Sequence, residues 1–452
     1  MRDLSKIVKA YDIRGVVPDE LDEDVARAVG GAFASYLSAP TVVTAHDMRP
    51  SSGPLVTAFA EGATSQGADV VEAGLASTDL LYFAAGSLDV PGAMFTASHN
   101  PARYNGIKLC RAAAAPVGQE SGLAEIQERA QRYLAEGLPP YDGKPGTISQ
   151  RDLLTEYAEY MRGVVPLSGN RGLSVVVDAG NGMAGLTVPK VFAGLPLELT
   201  PLYFELDGNF PNHEANPLVP ENLRDLQAKV REIGADIGLA FDGDADRCFV
   251  VDERGEPVAP STVTALVAVR ELARHPGATI IYNLITSHAV PEIVREHGGV
   301  PVRSRVGHSF IKAEMARTGA VFGGEHSAHY YFADFWRADT GMLAALHVLA
   351  ALGEQPRPLS ELLAAYSRYV DSGEVNSTVS DVPGKLAELQ RAYADKPGVT
   401  LDHLDGLTVE GDGWWFNVRP SNTEPLLRLN VEAGDRDTMD RIRDEALARI
   451  RD

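Results

Sequence analysis

Apolar positions along the chain follow two periods in turn. In DEDVARAVGGAFASYL, Val25, Val29, Phe33 and Leu37 recur at helical spacing, and SSGPLVTAFAEGATSQG has the same period. PTVVTA and ADVVEA, one after each of these helices, are β-branched runs of strand length, and PGAMFTA is a third whose end delivers SHNP. Helix alternating with buried strand predicts a parallel or mixed α/β sheet.

The layout then restarts twice. RGLSVVVDAGNG is a strand running into a glycine loop, followed by helix ENLRDLQAKVREIGA and the strands of DIGLAFDGDADRCFVVDERG. ATIIYNLITS opens a third unit, with helix AVPEIVREHG and the segment GAVFGGEHSAHYYF after it. The last segment differs. VNSTVS, helix VPGKLAELQRAYA, strands around TVEGDGWWFNVR and LLRLNVEA, and helix DTMDRIRDEALARI predict a small α+β domain with an antiparallel sheet. Pro and Gly cluster in GLPPYDGKPGTI, ERGEPVAPS and GEQPRPLS, which read as linkers. The expected domains are therefore 1–146, 147–254, 255–366 and 367–452. That division agrees with 452 residues at a prior of roughly 100 to 200 residues per domain.

Composition narrows the function. Apolar residues at 44% and charged residues at 23% are the balance of a folded soluble chain. The longest apolar helix pattern, MLAALHVLAALG, is too short to span a bilayer and reads as a buried core helix. MRDLSKIVKAYD lacks a signal-peptide apolar core, and two cysteines, Cys110 and Cys248, suit a reducing cytoplasm. A formal charge of -21 opposes nucleic acid and anionic membranes. An anionic substrate must then be captured locally, by arginine forks and backbone N–H groups.

Four loops could do this. The first is FTASHNPARYNGIK, where Ser98 stands beside His99 on an Asn-Pro turn. Ser98 is a transfer nucleophile if activated or already carrying the group, and otherwise a turn residue binding backbone N–H groups. In the second, DGDADR, the carboxylates of Asp242, Asp244 and Asp246 can converge on one hard cation such as Mg²⁺. An EF-hand is excluded, because Arg247 stands at the sixth position, where glycine is needed, and strands flank the loop. A solvated acidic turn is one alternative, and another makes Asp242 itself the phosphoryl acceptor, as in aspartyl-phosphate enzymes.

The third loop, GGEHSAH, offers Glu325 and Ser327 to sugar hydroxyls; His326 and His329 could instead ligate zinc or pack on tyrosines. In the fourth, RPSNTEP, Arg419, Ser421, Asn422 and Thr423, with Arg428 beyond, form an anion cradle; Ser421 and Glu424 also satisfy a helix capping box. Together the four describe phosphoryl transfer on a phosphorylated polyol, with one phosphate held away from the reacting end.

The ordered set KAYDIRG, TASHNP, YNGIK, DGDADR, GHSFIK, GEHSAH and RPSNTEP resembles the α-D-phosphohexomutase superfamily, most closely its bacterial phosphomannomutase/phosphoglucomutase branch, over essentially the whole chain. The resemblance implies a heart-shaped four-domain α/β protein: three related mixed-sheet domains bearing the phosphoserine, metal and sugar loops, and a C-terminal α+β domain bearing the phosphate loop. It implies phospho-Ser98 as carrier, and Mg²⁺ held by Asp242, Asp244, Asp246 and the Ser98 phosphoryl group. Glu325 and Ser327 would read the sugar O3 and O4, and Arg419, Ser421, Asn422, Thr423 and Arg428 would clasp the distal phosphate. Tyr11, Arg14, His99, Lys108, Arg247 and His308 match positions lining the family's site, with Lys108 a proton-handling candidate.

The implied reaction interconverts hexose 1-phosphate and hexose 6-phosphate through a hexose 1,6-bisphosphate, which also serves as activator. The partners are small hexose phosphates acting on a monomer or dimer. His326 and Ala328 stand where many dual-specificity members have methionine and glycine, which leans towards mannose. A phosphoglucosamine mutase is the near alternative. An Asp242-dependent phosphatase and a noncatalytic sugar-phosphate or Ca²⁺ binder are the distant ones.

Overall fold

The computed structural model describes residues 3–420 and 426–452. The chain forms two compact units, one built from the residues up to Val258 together with Ser327–Leu362, the other from Ala259–His326 and Leu363–Asp452.

The first unit opens with a six-stranded mixed sheet. Its strands are β1 (Ile13–Val16), β2 (Thr41–His46), β3 (Asp69–Leu75), β4 (Gly92–Phe95), β5 (Tyr104–Cys110) and β6 (Ile148–Gln150), in the order β1-β5-β4-β2-β3-β6. β2 runs parallel to β3 and β4, while β5 pairs antiparallel with β4 and β1. β1 and β6 are strands the hydrophobic pattern did not predict. β6 pairs with β3, so this sheet draws on residues just past the boundary expected at 146.

Helices α1 (Glu23–Leu37) and α2 (Ser52–Ser65), both predicted from periodicity, pack on each other over this sheet. Asp22 caps α1 by accepting from the Val25 N–H, and Val25, Val29 and Phe33 are buried. Phe33, Phe59 and Phe95 continue the core, with ring centroids 5.9 and 5.4 Å apart. Helix α3 (Thr78–Leu88) starts beyond β3, capped by Ser77.

A second sheet in the same unit comprises β7 (Leu173–Asp178), β8 (Leu197–Leu202), β9 (Ile237–Phe241), β10 (Cys248–Val251) and β11 (Pro257–Val258), in the order β11-β10-β9-β7-β8. β9 has no exposed position, which is why IGLAF carries no alternation. The apolar helix Gly341–Gly353 is buried along its whole length, capped by Thr340. No helix among the described residues is long and apolar enough to cross a membrane.

The second unit holds the parallel strands β12 (Thr279–Asn283), β13 (Val300–Ser304) and β14 (Phe322–Gly324), with β12 pairing both others. It also holds the antiparallel sheet predicted for the C-terminal segment. The strands Val370–Thr378, Leu426–Ala433, Trp414–Pro420, Leu407–Gly411 and Thr400–Asp402 lie side by side in that order. Helices Val382–Ala394 and Arg436–Arg451 close its core of Leu389, Phe416, Leu429 and Ile442.

Candidate active site

The turn between β4 and β5 carries Ser98, which is 5% exposed and has φ 51°, in the left-handed region that costs a non-glycine residue energy. Three contacts hold it there. Its N–H donates to Thr96 Oγ1 at 2.9 Å, its carbonyl accepts from the Arg49 guanidinium at 2.9 Å, and its hydroxyl donates to Asp242 at 2.8 Å. His99 Nδ1 lies 3.2 Å from Ser98 Oγ. Burial, together with the charges of Arg247 and Arg14, holds the His99 pKa well below the ordinary histidine value, so the ring beside Ser98 is neutral. Gly243 permits the approach of the two loops, because a Cβ there would stand 2.5 Å from the Ser98 carbonyl oxygen.

β9 ends where DGDADR begins, and the loop returns as β10 in antiparallel pairing. Asp242, Asp244 and Asp246 are buried, and each offers a carboxylate oxygen within 4.8 Å of the others. Asp244 Oδ1 and Asp246 Oδ1 are buried without hydrogen-bond partners. Hard oxygen donors with unmet acceptor capacity fit a cation such as Mg²⁺. A merely solvated acidic turn does not fit this burial.

The second oxygens of the same residues are occupied. Lys108 Nζ lies 2.7 Å from both Asp244 Oδ2 and Asp246 Oδ2. Thr78, at the start of α3, donates its hydroxyl to Asp244 at 2.6 Å and its N–H to the Asp244 carbonyl at 2.9 Å. Burial opposes the Lys108 charge, but Asp244 and Asp246 outweigh it and hold its pKa well above the ordinary lysine value. Arg247 donates to Asp242 through Nε at 2.8 Å and through its backbone N–H at 3.1 Å. Burial raises the Asp242 pKa to about 7, against the lowering by Arg247.

The structure places the remaining candidates as follows. Arg14, on β1, reaches Asn100 Oδ1 at 2.6 Å, which ties the first strand to the Ser98 turn; Tyr11 is half-buried just before that strand. Ser327, in the first unit, bonds His329 Nδ1 at 3.0 Å. By sequence alone His329 reads only as a zinc or packing residue. It forms a β-bridge with Arg247, and its Nε2 lies 3.7 Å from Asp246 Oδ1. A group able to hold a cation joins His329 to Asp246, which is far from it in sequence, and to Asp339, which is near.

In the second unit, Glu325 follows β14 and is buried, 3.2 Å from both the Gly307 N–H and Asn283 Nδ2. His308 begins the helix His308–Thr318. Arg419 and Arg428 are direct cross-strand partners, and both reach Glu374, at 2.9 and 3.3 Å. Ser421, Asn422 and Thr423, and the capping-box reading of Ser421 with Glu424, lie outside the described residues.

Comparison with known proteins agrees with this arrangement. The models of phosphoglucomutase/phosphomannomutase alpha/beta/alpha domains I, II and III match residues 5–136, 155–255 and 260–369, and that of the C-terminal domain matches 374–449. A protein of Xanthomonas campestris named "phosphohexose mutases" is 42% identical over 427 residues, 94% of each chain. A phosphomannomutase of Escherichia coli is 39% identical over 434 residues, again 94% of each. The crystal structure of a phosphoglucomutase/phosphomannomutase family protein from Burkholderia thailandensis superposes with a TM-score of 0.89 at 35% identity, covering 99% of this chain and 97% of the other. With domain models in the expected order and relatives aligned almost end to end, the chain belongs to the phosphoglucomutase/phosphomannomutase family.

Proposed function

We propose that the chain is a phosphohexomutase, an isomerase that interconverts hexose 1-phosphate and hexose 6-phosphate, with mannose the leading sugar and phospho-Ser98 the carrier. The observation that carries this reading is the Ser98 hydroxyl seated 2.8 Å from Asp242, inside a loop of three buried carboxylates. A serine is a weak nucleophile by itself, and this one sits where both an acceptor and local positive charge are supplied.

The transfer balances as follows. The O6 of a hexose 1-phosphate attacks the phosphorus of phospho-Ser98, the Oγ–P bond breaks, and the hydroxyl proton is exchanged for one delivered to Ser98 Oγ. The bisphosphorylated sugar then presents its other end, Ser98 Oγ attacks the phosphorus on O1, the O1–P bond breaks, and the proton lost from Ser98 is balanced by one delivered to O1. Mg²⁺ on Asp242, Asp244 and Asp246, when bound, neutralises charge on the transferring phosphoryl oxygens. Lys108, kept protonated by its two carboxylates, places a second positive charge beside that loop. Arg14 braces the serine turn through Asn100. Glu325 and Ser327 receive sugar hydroxyls, and Arg419 with Arg428 receives the distal phosphate, so that either phosphate of the intermediate meets the same generic fork. Hexose 1,6-bisphosphate activates by phosphorylating Ser98 in unloaded enzyme.

Attack by Asp242 itself, the phosphatase reading, is disfavoured. One oxygen accepts the Arg247 backbone N–H, and the other accepts both Arg247 Nε and Ser98 Oγ.

The test is phosphorus NMR of the protein with Mg²⁺ and trace glucose 1,6-bisphosphate, offered mannose 1-phosphate and glucose 1-phosphate separately. The 6-phosphate signal should appear with the intact chain and fall by about 10³-fold or more in Ser98→Ala. Near-full activity of that variant, or release of inorganic phosphate in place of 6-phosphate, overturns the reading.

A further inference from the structure

Directly after β2, the segment HDMRP places Asp47 and Arg49 two residues apart, and both side chains are buried. A buried guanidinium is costly unless its charge is paired and its donors are satisfied. Here all five N–H groups are used. Nε donates to Asp47 Oδ2 at 3.1 Å, Nη1 to the carbonyls of Pro101 at 2.9 Å and Tyr104 at 3.0 Å, and Nη2 to the carbonyls of Ser98 at 2.9 Å and Asn100 at 2.7 Å. Four carbonyls from one seven-residue turn therefore converge on a single side chain, a pattern that neither helix nor sheet provides.

The anchor is itself braced. Asp47 accepts the Arg49 backbone N–H at 3.0 Å and the Ser52 hydroxyl at 2.6 Å. Asn105, on β5 just beyond the turn, donates to Ser52 Oγ at 2.9 Å. The Phe210 ring covers the guanidinium 5.1 Å from its centroid.

We propose that Arg49 is the positioning residue of the phosphoryl-carrying serine, holding the Ser98 peptide in its left-handed conformation so that Oγ stays directed at the DGDADR loop in both half-reactions. The inference rests on the reading of Ser98 as phosphoryl carrier. A left-handed serine is strained and persists only where its surroundings fix it. Arg49 fixes the carbonyl on one side, and the bare Cα of Gly243 leaves room on the other. Lysine keeps the charge but has three donors radiating from one atom, so it cannot reproduce the fork. Displacement of a reacting atom by an ångström or so is worth about 10²-fold in rate.

The experiment uses Arg49→Lys with Mg²⁺, first dephosphorylated and then mixed with glucose 1,6-bisphosphate, following phosphoserine formation in a single turnover. A positioning role predicts full amplitude at a rate constant lowered by about 10²-fold, with kcat lowered in step and KM changed less than about 3-fold. A loss of amplitude with an unchanged rate constant would mark Arg49 as merely structural and overturn the proposal, as would wild-type kinetics. Absence of phosphoserine in the wild-type chain would instead overturn the carrier reading itself. Should Arg49→Lys fail to fold, Phe210→Leu keeps the five N–H bonds and loosens the lid over them. It should slow the same step by about 3-fold or more at full amplitude, and an unchanged rate there counts against the proposal.

Discussion

Asp79 gathers three hydroxyls from separate parts of the first unit and bears no charge partner in that set. Ser77 donates to it at the start of α3, Tyr157 OH donates at 2.8 Å, and Thr340 Oγ1 donates at 2.7 Å. Burial raises its pKa to about 6 despite these bonds. In the unfolded chain the carboxyl ionises near its ordinary value, so between about pH 4 and pH 6 the folded state binds the extra proton. The contribution is therefore fully present below the unfolded pKa and lost as pH rises through 6. A shift of roughly two units corresponds to about 3 kcal/mol. Asp79→Asn is neutral throughout, so its stability relative to wild type should improve by about 2 kcal/mol between pH 4.5 and pH 7.5, the rest of the change lying below pH 4.5, read from urea midpoints in chelator. A difference that stays constant with pH would refute this. Residues of this kind were not legible in the sequence. Ser98, Asp242 and Lys108 announce themselves as polar groups set in apolar flanks, whereas Asp79, Thr78 and Arg49 act on atoms far away in the chain, several of them backbone carbonyls that no side-chain motif encodes.

At the scale of elements, the α1–α2 pair shows what the pattern left out. The periodicity predicted both helices, but the closeness of their contact depends on two glycines. A Cβ on Gly30 would stand 2.1 Å from the Phe59 carbonyl oxygen, and one on Gly62 would stand 2.0 Å from that of Arg27. Backbone cannot yield as a flexible side chain does, so Gly30→Ala should destabilise by about 1–3 kcal/mol in chemical denaturation. Gly163, exposed in the helix Leu154–Val164 with nothing within 4 Å of an added Cβ, should respond in the opposite direction. There the same substitution removes unfolded-state freedom and should stabilise by about 0.5–1 kcal/mol. Equal signs at the two positions would show that helix propensity, and not close packing, governs this pair. Two of the strands the pattern missed have a related explanation. Ile148–Gln150 is exposed at all three positions in a Pro- and Gly-rich stretch, and Ile13–Val16 sits among charged residues. Each lies at a sheet edge, where pairing fixes the strand and side-chain burial leaves little signal.

For the molecule as a whole, the formal charge of -21 sets a field that opposes the proposed substrate, since a hexose phosphate carries close to two negative charges near neutral pH. The groups proposed to capture it are few and partly neutralised: Arg419 and Arg428 face Glu374, and Lys108 and Arg247 face the aspartates. Repulsion therefore acts over tens of ångströms and attraction over a few. The Debye length shrinks from about 30 Å at 0.01 M salt to about 8 Å at 0.15 M, so added salt first screens the distant repulsion and spares the short contacts. With Mg²⁺ and bisphosphate held constant, kcat/KM for hexose 1-phosphate should rise by roughly 2-fold over that range while kcat stays flat. Above it, kcat/KM should fall as the arginine contacts themselves weaken. A steady decline from the lowest salt would mean that the local cations set the field felt by the approaching substrate, and that the acidic remainder of the surface governs solubility alone.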